Sequence, residues 1–300
     1  MVASMFDGFE ASKVNVAETE IFIRRKGIGR PLLLLHGFPE THLMWHAVAP
    51  ALADAFTVVC ADLRGYGASG KPPSSPDHAP YAKTAMSRDM VRLMKTLGFS
   101  RFSVAGHDRG GRVAYRMAFD HAGHIERLAV LDIIPTGEAL ARADMRLTLG
   151  YWPWSLLAQP EPLPEQMITA SADAVVNHAL QGWGSDRNSF PPDVRNAYIE
   201  QLRDLPTVHA ICEEYRAAAT LDFAQDTEDH NAKRRIACPL LTLWGKGGPL
   251  DRWYVEAGGP LGIWRNWAED VSGRSVEGGH FFPEHNSRET ITELRTFFSA

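Results

Sequence analysis

The chain is poor in cysteine, has no excess of basic residues and contains no long apolar run, and each of these lacks removes a class of protein. Its 3 cysteines, Cys60, Cys212 and Cys238, are odd in number and far apart in 300 residues. No CxxC-type pair exists among them, so neither a disulfide framework nor a zinc or redox motif is expected. With 31 Lys and Arg against 36 Asp and Glu, the formal net charge is -5. No overall positive field is available to hold nucleic acid or an anionic membrane. No stretch approaches about 18 consecutive apolar residues, and the opening MVASMFDGFEASK is acidic where a signal peptide would be basic and then apolar. A soluble cytoplasmic protein with neither nucleic-acid nor membrane partner is the expectation.

Two further patterns are less than they resemble. The run Gly65-Tyr66-Gly67-Ala68-Ser69-Gly70 spells GxGxxG, yet Pro72 and Pro73 follow where a helix amino terminus would have to hold pyrophosphate. A dinucleotide site therefore fails on context. The 12 histidines form no HExxH or comparable ligand set, so no metal is expected. Lys233-Arg234-Arg235 reads as solvated surface.

What is present is ordinary globular material, 45% hydrophobic and 22% charged, enough for a large core. Short β-rich apolar runs at 31–35, 56–61, 102–105, 128–131 and 239–244 alternate with helical patterns. This spacing predicts an α/β fold, a mostly parallel sheet flanked by helices. Residues 136–235 carry no comparable strand run and are rich in Trp, Ala, Arg and Glu. They read as a helical insertion over the carboxyl ends of the strands, between core parts 1–135 and 236–300.

The candidate chemistry lies in three short segments. Gly106-His107-Asp108-Arg109-Gly110 has glycine two residues before and two after Asp108, between a strand and a helical run. That is the form of a nucleophile elbow, here exposing a carboxylate. His36-Gly37-Phe38-Pro39 follows the leucines of the first run, where this architecture supplies a backbone N–H to an oxyanion hole. Gly278-Gly279-His280 follows a final strand expected at 275–277, so nucleophile and base appear in the proper order. Two acids are candidates to orient His280, Asp132 and Asp251, and spacing leaves both open.

Taken together with DLRGYGASGKP at 62–72, these segments resemble an α/β-hydrolase with a helical cap. Arg109 and Arg112, LDIIPTGE at 131–138, YWPW at 151–154 and EEYRAAATLD at 213–222 are similar to the haloacetate (fluoroacetate) dehalogenases. The resemblance implies Asp108 as nucleophile, His280 as base and Asp132 as its acid, with backbone N–H groups of Phe38 and Arg109 as the oxyanion hole. It also implies Trp154, Trp183 and Tyr215 as halide donors, no cofactor, and a homodimer. Residues three apart on a helix share a face, so Arg109 and Arg112 are expected to clamp a substrate carboxylate together. The expected substrate is a short 2-haloacid, hydrolysed to glycolate and halide. Fluoroacetate-active members resemble YWHW where this chain has Pro153, so chloride and bromide are safer leaving groups than fluoride. An epoxide hydrolase using the same aspartate and histidine is the alternative, and a noncatalytic receptor on the same fold is a third reading.

Overall fold

The computed structural model describes residues 5–300, the side chain of residue 187 excepted. Its centre is a parallel group of strands, β3 (Arg30–Leu35), β4 (Phe56–Ala61), β5 (Phe102–His107), β6 (Ile125–Leu131), β7 (Leu240–Gly245) and β8 (Val271–Val276). Helices cover both faces, which is why Leu32 to Leu35 can form an unbroken apolar run with every member fully buried. Two antiparallel strands, β1 (Glu10–Asn15) and β2 (Glu20–Lys26), complete the sheet in the order β1-β2-β4-β3-β5-β6-β7-β8.

The apolar-run criterion found β3 to β7 and missed the hairpin β1–β2. β2 alternates buried Ile21 and Ile23 with half-buried positions, and β1 is mostly exposed or half-exposed. Neither presents the continuous run of a strand covered on both faces. β8, VSGRSV, is an edge strand of the same kind, and the expected 275–277 touches only its end. An edge strand needs only one protected face, so polar residues and a glycine are tolerated there.

Between β6 and β7 the described residues form helices and no strand. The longest rod runs through the helix Leu205–Ala217, a π-helical turn Ala218–Asp222 and the helix Phe223–Asn231. Buried polar contacts tie this segment to the strand ends. Gln201 Nε2 donates to the carbonyl oxygens of Pro39, 2.5 Å, and Glu40, 3.1 Å. Glu214 receives Lys83 Nζ at 2.6 Å, Tyr66 Oη at 2.6 Å and Arg109 Nε at 2.9 Å. Burial pushes the Glu214 carboxyl up, but Arg109, Lys83 and Tyr66 outweigh it and hold it at about 2.

Candidate active site

The elbow is built by backbone crowding. Asp108 begins the helix Asp108–Asp120 with a positive φ of 43°, a conformation costing a non-glycine residue on the order of 1–3 kcal/mol. A Cβ on Gly106 would lie 2.4 Å from Gly110 backbone, and one on Gly110 would lie 2.5 Å from the His36 carbonyl oxygen. Only glycine at these two positions lets β5, the elbow and the loop after β3 meet. The consequence is placement: Asp108 sits at the carboxyl end of the central strands with Phe38 N–H donating to its Oδ2, 3.1 Å away. Arg109 N–H lies in the first turn of the same helix, where no intrahelical acceptor exists. Burial pushes the Asp108 carboxyl up, but His280, Arg109, Arg112 and His107 together hold it below its ordinary value.

The acid that meets His280 is Asp132. Its Oδ2 lies 2.6 Å from His280 Nδ1 and its Oδ1 accepts Gly245 N–H at 2.8 Å. Asp132 also has a positive φ, 54°, so both carboxylates stand on tight turns at strand ends. Asp251 is occupied elsewhere, accepting Trp244 Nε1 at 2.8 Å and Gly247 N–H at 2.9 Å. It lies inside the short helix Pro249–Trp253. His280 itself is anchored from the helical segment, its N–H donating to the Trp183 carbonyl at 2.8 Å.

A narrow cavity of about 20 Å³ is lined by Asp108, Asp132, His280, Arg112, Trp154, Trp183 and Tyr215, with Tyr151, Pro153, Ile134, Leu147 and Tyr254. The space exceeds only slightly the about 10–15 Å³ that one ordered water requires. Seven of the nine candidate residues line this cavity and Phe38 joins them through its backbone N–H on Asp108, and their roles divide differently from the sequence expectation. Arg112 lines the cavity, and its Nη1 donates to the Ile134 carbonyl, 3.0 Å, and to Thr136 Oγ1, 3.1 Å. No carboxylate pairs with it among the described residues. Arg109 is absent from the cavity lining; its Nε is committed to Glu214, its Cζ lies 4.0 Å from the Tyr215 ring centroid, and its Nη1 is buried without a partner. Helical spacing placed both arginines on one face, but Glu214 draws Arg109 aside.

The aromatic donors divide too. Trp183 lines the cavity with its ring, while its indole N–H is donated to the Gly150 carbonyl at 2.7 Å. That N–H is not free for a halide, which corrects the expectation for Trp183. Tyr215 Oη and Trp154 Nε1 have no protein partner among the described residues.

Three residues carry more than the sequence reading assigned them. Tyr151 Oη lies 3.3 Å from Asp132 Oδ2 and 3.4 Å from His280 Nδ1; the YWPW motif marked its neighbourhood, not its role. Behind the elbow, His107 Nδ1 meets Glu40 Oε2 at 2.9 Å and its Nε2 meets the His280 carbonyl at 2.9 Å. Burial alone would lower the His107 pKa, but Glu40, with Asp108 and Asp132, raises it to about 9. An imidazolium donating at both nitrogens thus fixes the main chain at His280. The order HGFPE before HD held the signal, but pairing across 67 residues is not visible in sequence.

Comparison with known proteins bears on the fold and the family. Residues 30–258 match the family model described as the alpha/beta hydrolase fold, and the chain belongs to that family. Among its relatives, a fluoroacetate dehalogenase of Burkholderia sp is 43% identical over 98% of this chain and 95% of that protein. A soluble epoxide hydrolase of Corynebacterium sp. (strain C12) is 30% identical over 91% of each. A solved alpha/beta hydrolase from Nostoc sp PCC 7120 superposes with a TM-score of 0.94 at 44% identity, covering 98% of this chain and 99% of that one. No helix among the described residues is long and apolar enough to cross a membrane.

Proposed function

We propose that the protein hydrolyses the carbon–halogen bond of short 2-haloacids such as haloacetate, with residues 136–235 acting as a cap over the site. The observation that carries this reading is Arg112, a cavity-lining guanidinium bonded only to neutral oxygens beside the nucleophile candidate Asp108. A guanidinium that feels the Asp108 charge but is hydrogen-bonded to no carboxylate favours an anionic ligand, and its planar donors suit a carboxylate. It also offsets the repulsion between Asp108 and an acid substrate.

The Phe38 N–H engages Asp108 Oδ2, leaving Oδ1 to attack the carbon that bears the halogen. The C–O bond forms as the C–X bond breaks, and halide leaves with the bonding pair. Tyr215 Oη and Trp154 Nε1 are the unpartnered donors that would receive it. His280, its Nδ1 held by Asp132, takes a proton at Nε2 from water, which attacks the Asp108 ester carbonyl. The developing oxyanion keeps the Phe38 N–H and gains that of Arg109. Collapse breaks the bond between Asp108 Cγ and Oδ1, the departing alkoxide of glycolate recovers the proton from His280, and Asp108, left as the acid, releases the second water proton to solvent to restore its carboxylate. Pro153 lines the cavity and offers no donor, so chloride and bromide depart more readily than fluoride.

An epoxide hydrolase is the second reading, supported by the Corynebacterium relative and the free Tyr215 hydroxyl. Epoxide opening calls for phenol donors at the departing oxygen; Tyr151 is turned to Asp132 and His280 instead. The test is halide release from chloroacetate and fluoroacetate in parallel, with Asp108→Asn as the blank. Chloride release supports the reading. Release of neither halide, with turnover of a neutral epoxide, would replace it.

A further inference from the structure

We propose that Tyr151 is a positioning residue for ester hydrolysis, its hydroxyl setting the orientation and basicity of His280 through Asp132. The inference rests on the Asp108–His280 reading above. Asp132 accepts three donors: Gly245 N–H at Oδ1, 2.8 Å, and His280 Nδ1 and Tyr151 Oη at Oδ2, 2.6 and 3.3 Å. An Nδ1–H that donates to Asp132 has no lone pair left for the phenol, so the Tyr151 proton goes to Oδ2, although Oη also lies 3.4 Å from Nδ1.

The phenol is held there by its surroundings. Its ring packs edge-on against His280, Trp183 and Trp253, with centroids 5.6, 5.4 and 5.1 Å away. The preceding residue, Gly150, receives the Trp183 indole N–H, so the backbone approach to Tyr151 is pinned as well. Burial, then the charges of Asp132 and Asp108, push the Tyr151 pKa well above its ordinary value, keeping it a donor.

A carboxylate that shares its charge between two donors at one oxygen stabilises an imidazolium less than one that serves His280 alone. On this proposal the Tyr151 hydroxyl weakens the hold of Asp132 on the His280 imidazolium, which leaves His280 readier to return its proton to the departing glycolate. The groups facing His280 are Asp132, Asp108, Tyr151 and His107, whose ring centroid is 4.6 Å away and which is backed by Glu40; Arg112 and Tyr254 stand across the cavity. Tyr151→Phe removes one hydroxyl and leaves every other member and the ring packing in place.

The experiment follows His280 in the full chain by imidazole NMR titration, wild type beside Tyr151→Phe, and then the pH profile of single-turnover ester hydrolysis on chloroacetate. The titration midpoint of His280 is expected to rise by about 0.5 unit or more on loss of one hydrogen bond to its partner acid. The acid limb of hydrolysis should move with it, while the preceding halide burst stays within about twofold. An unmoved midpoint, even with slower turnover, overturns the proposal. Replacing Tyr151 by 3-fluorotyrosine, a stronger donor of the same shape, is expected to shift the midpoint downward; an upward shift would also overturn it. The titration needs no substrate, so a wild type that releases no halide would sink the dehalogenase reading while the Tyr151 result still stands or falls alone.

Discussion

The two walls of the cavity differ in how their polar atoms are spent. On the core wall Asp108, Asp132 and His280 each have a partner in place: Phe38 N–H on Asp108, Gly245 N–H on Asp132, and Asp132 on His280. On the helical wall Trp154 and Tyr215 present donors that have none. The core wall is organised before substrate arrives, which is what bond-making steps require. The helical wall keeps open donors for a ligand that supplies the missing acceptor. Under the proposed function, the reaction would be held constant on the strand ends while preference for the leaving group is altered in the helices.

The largest expected effect breaks the core wall alone. His280→Gln should let Asp108 be alkylated once and then stall, so halide appears in a single burst and steady turnover falls about 10⁴-fold. Mass spectrometry of the quenched protein checks this; an absent adduct would mean the ester is not formed on Asp108. Next comes the cation between the walls. Arg112→Ala should cost about 2–5 kcal/mol in kcat/KM on chloroacetate, an amount typical for truncating one side of a buried charge pair, with a raised KM. An unchanged kcat/KM would assign the carboxylate to Arg109 instead.

A smaller effect sharpens the helical wall. Tyr215→Phe removes one open donor and should lower halide release by about tenfold, or about 1.4 kcal/mol, more with fluoroacetate than with chloroacetate. Equal losses on both would argue that Tyr215 does not touch the halide. The smallest effect probes the support behind the core wall through pH. The His107 pKa is raised to about 9 in the folded chain from an ordinary 6.5. A raised basic group stabilises fully below its unfolded value, so this contribution is complete below about pH 6.5 and is lost as pH rises through about 9. Thermal midpoints measured between pH 6 and 10 should fall across that window, and Glu40→Gln should flatten the fall.

Much of the site could be read along the chain because its parts are local. Gly106 and Gly110 around Asp108 announce a strand-to-helix turn whose crowding admits no side chain, and the structure puts backbone 2.4 to 2.5 Å from where a Cβ would stand. The buried strands β3 to β7 were legible for the same reason, since a strand covered on both faces writes itself as an apolar run. β1 and β2 were not, and β8 only at its end, because one-sided and edge strands keep polar residues. The choice between Asp132 and Asp251 was open in spacing; it turns on where β6 and β7 end in space beside His280.

The sequence by itself determined the order of the candidate groups: an elbow carboxylate, a loop before it and a late histidine, each encoded within a few neighbouring residues. Which arginine keeps a free charge, which indole keeps a free N–H, and which phenol leans on Asp132 were decided only by the tertiary structure. Glu214 claims Arg109 across 105 residues and the Gly150 carbonyl claims Trp183 across 33. A donor's availability depends on every acceptor that folding brings within about 3 Å, and that competition is settled by packing between distant segments.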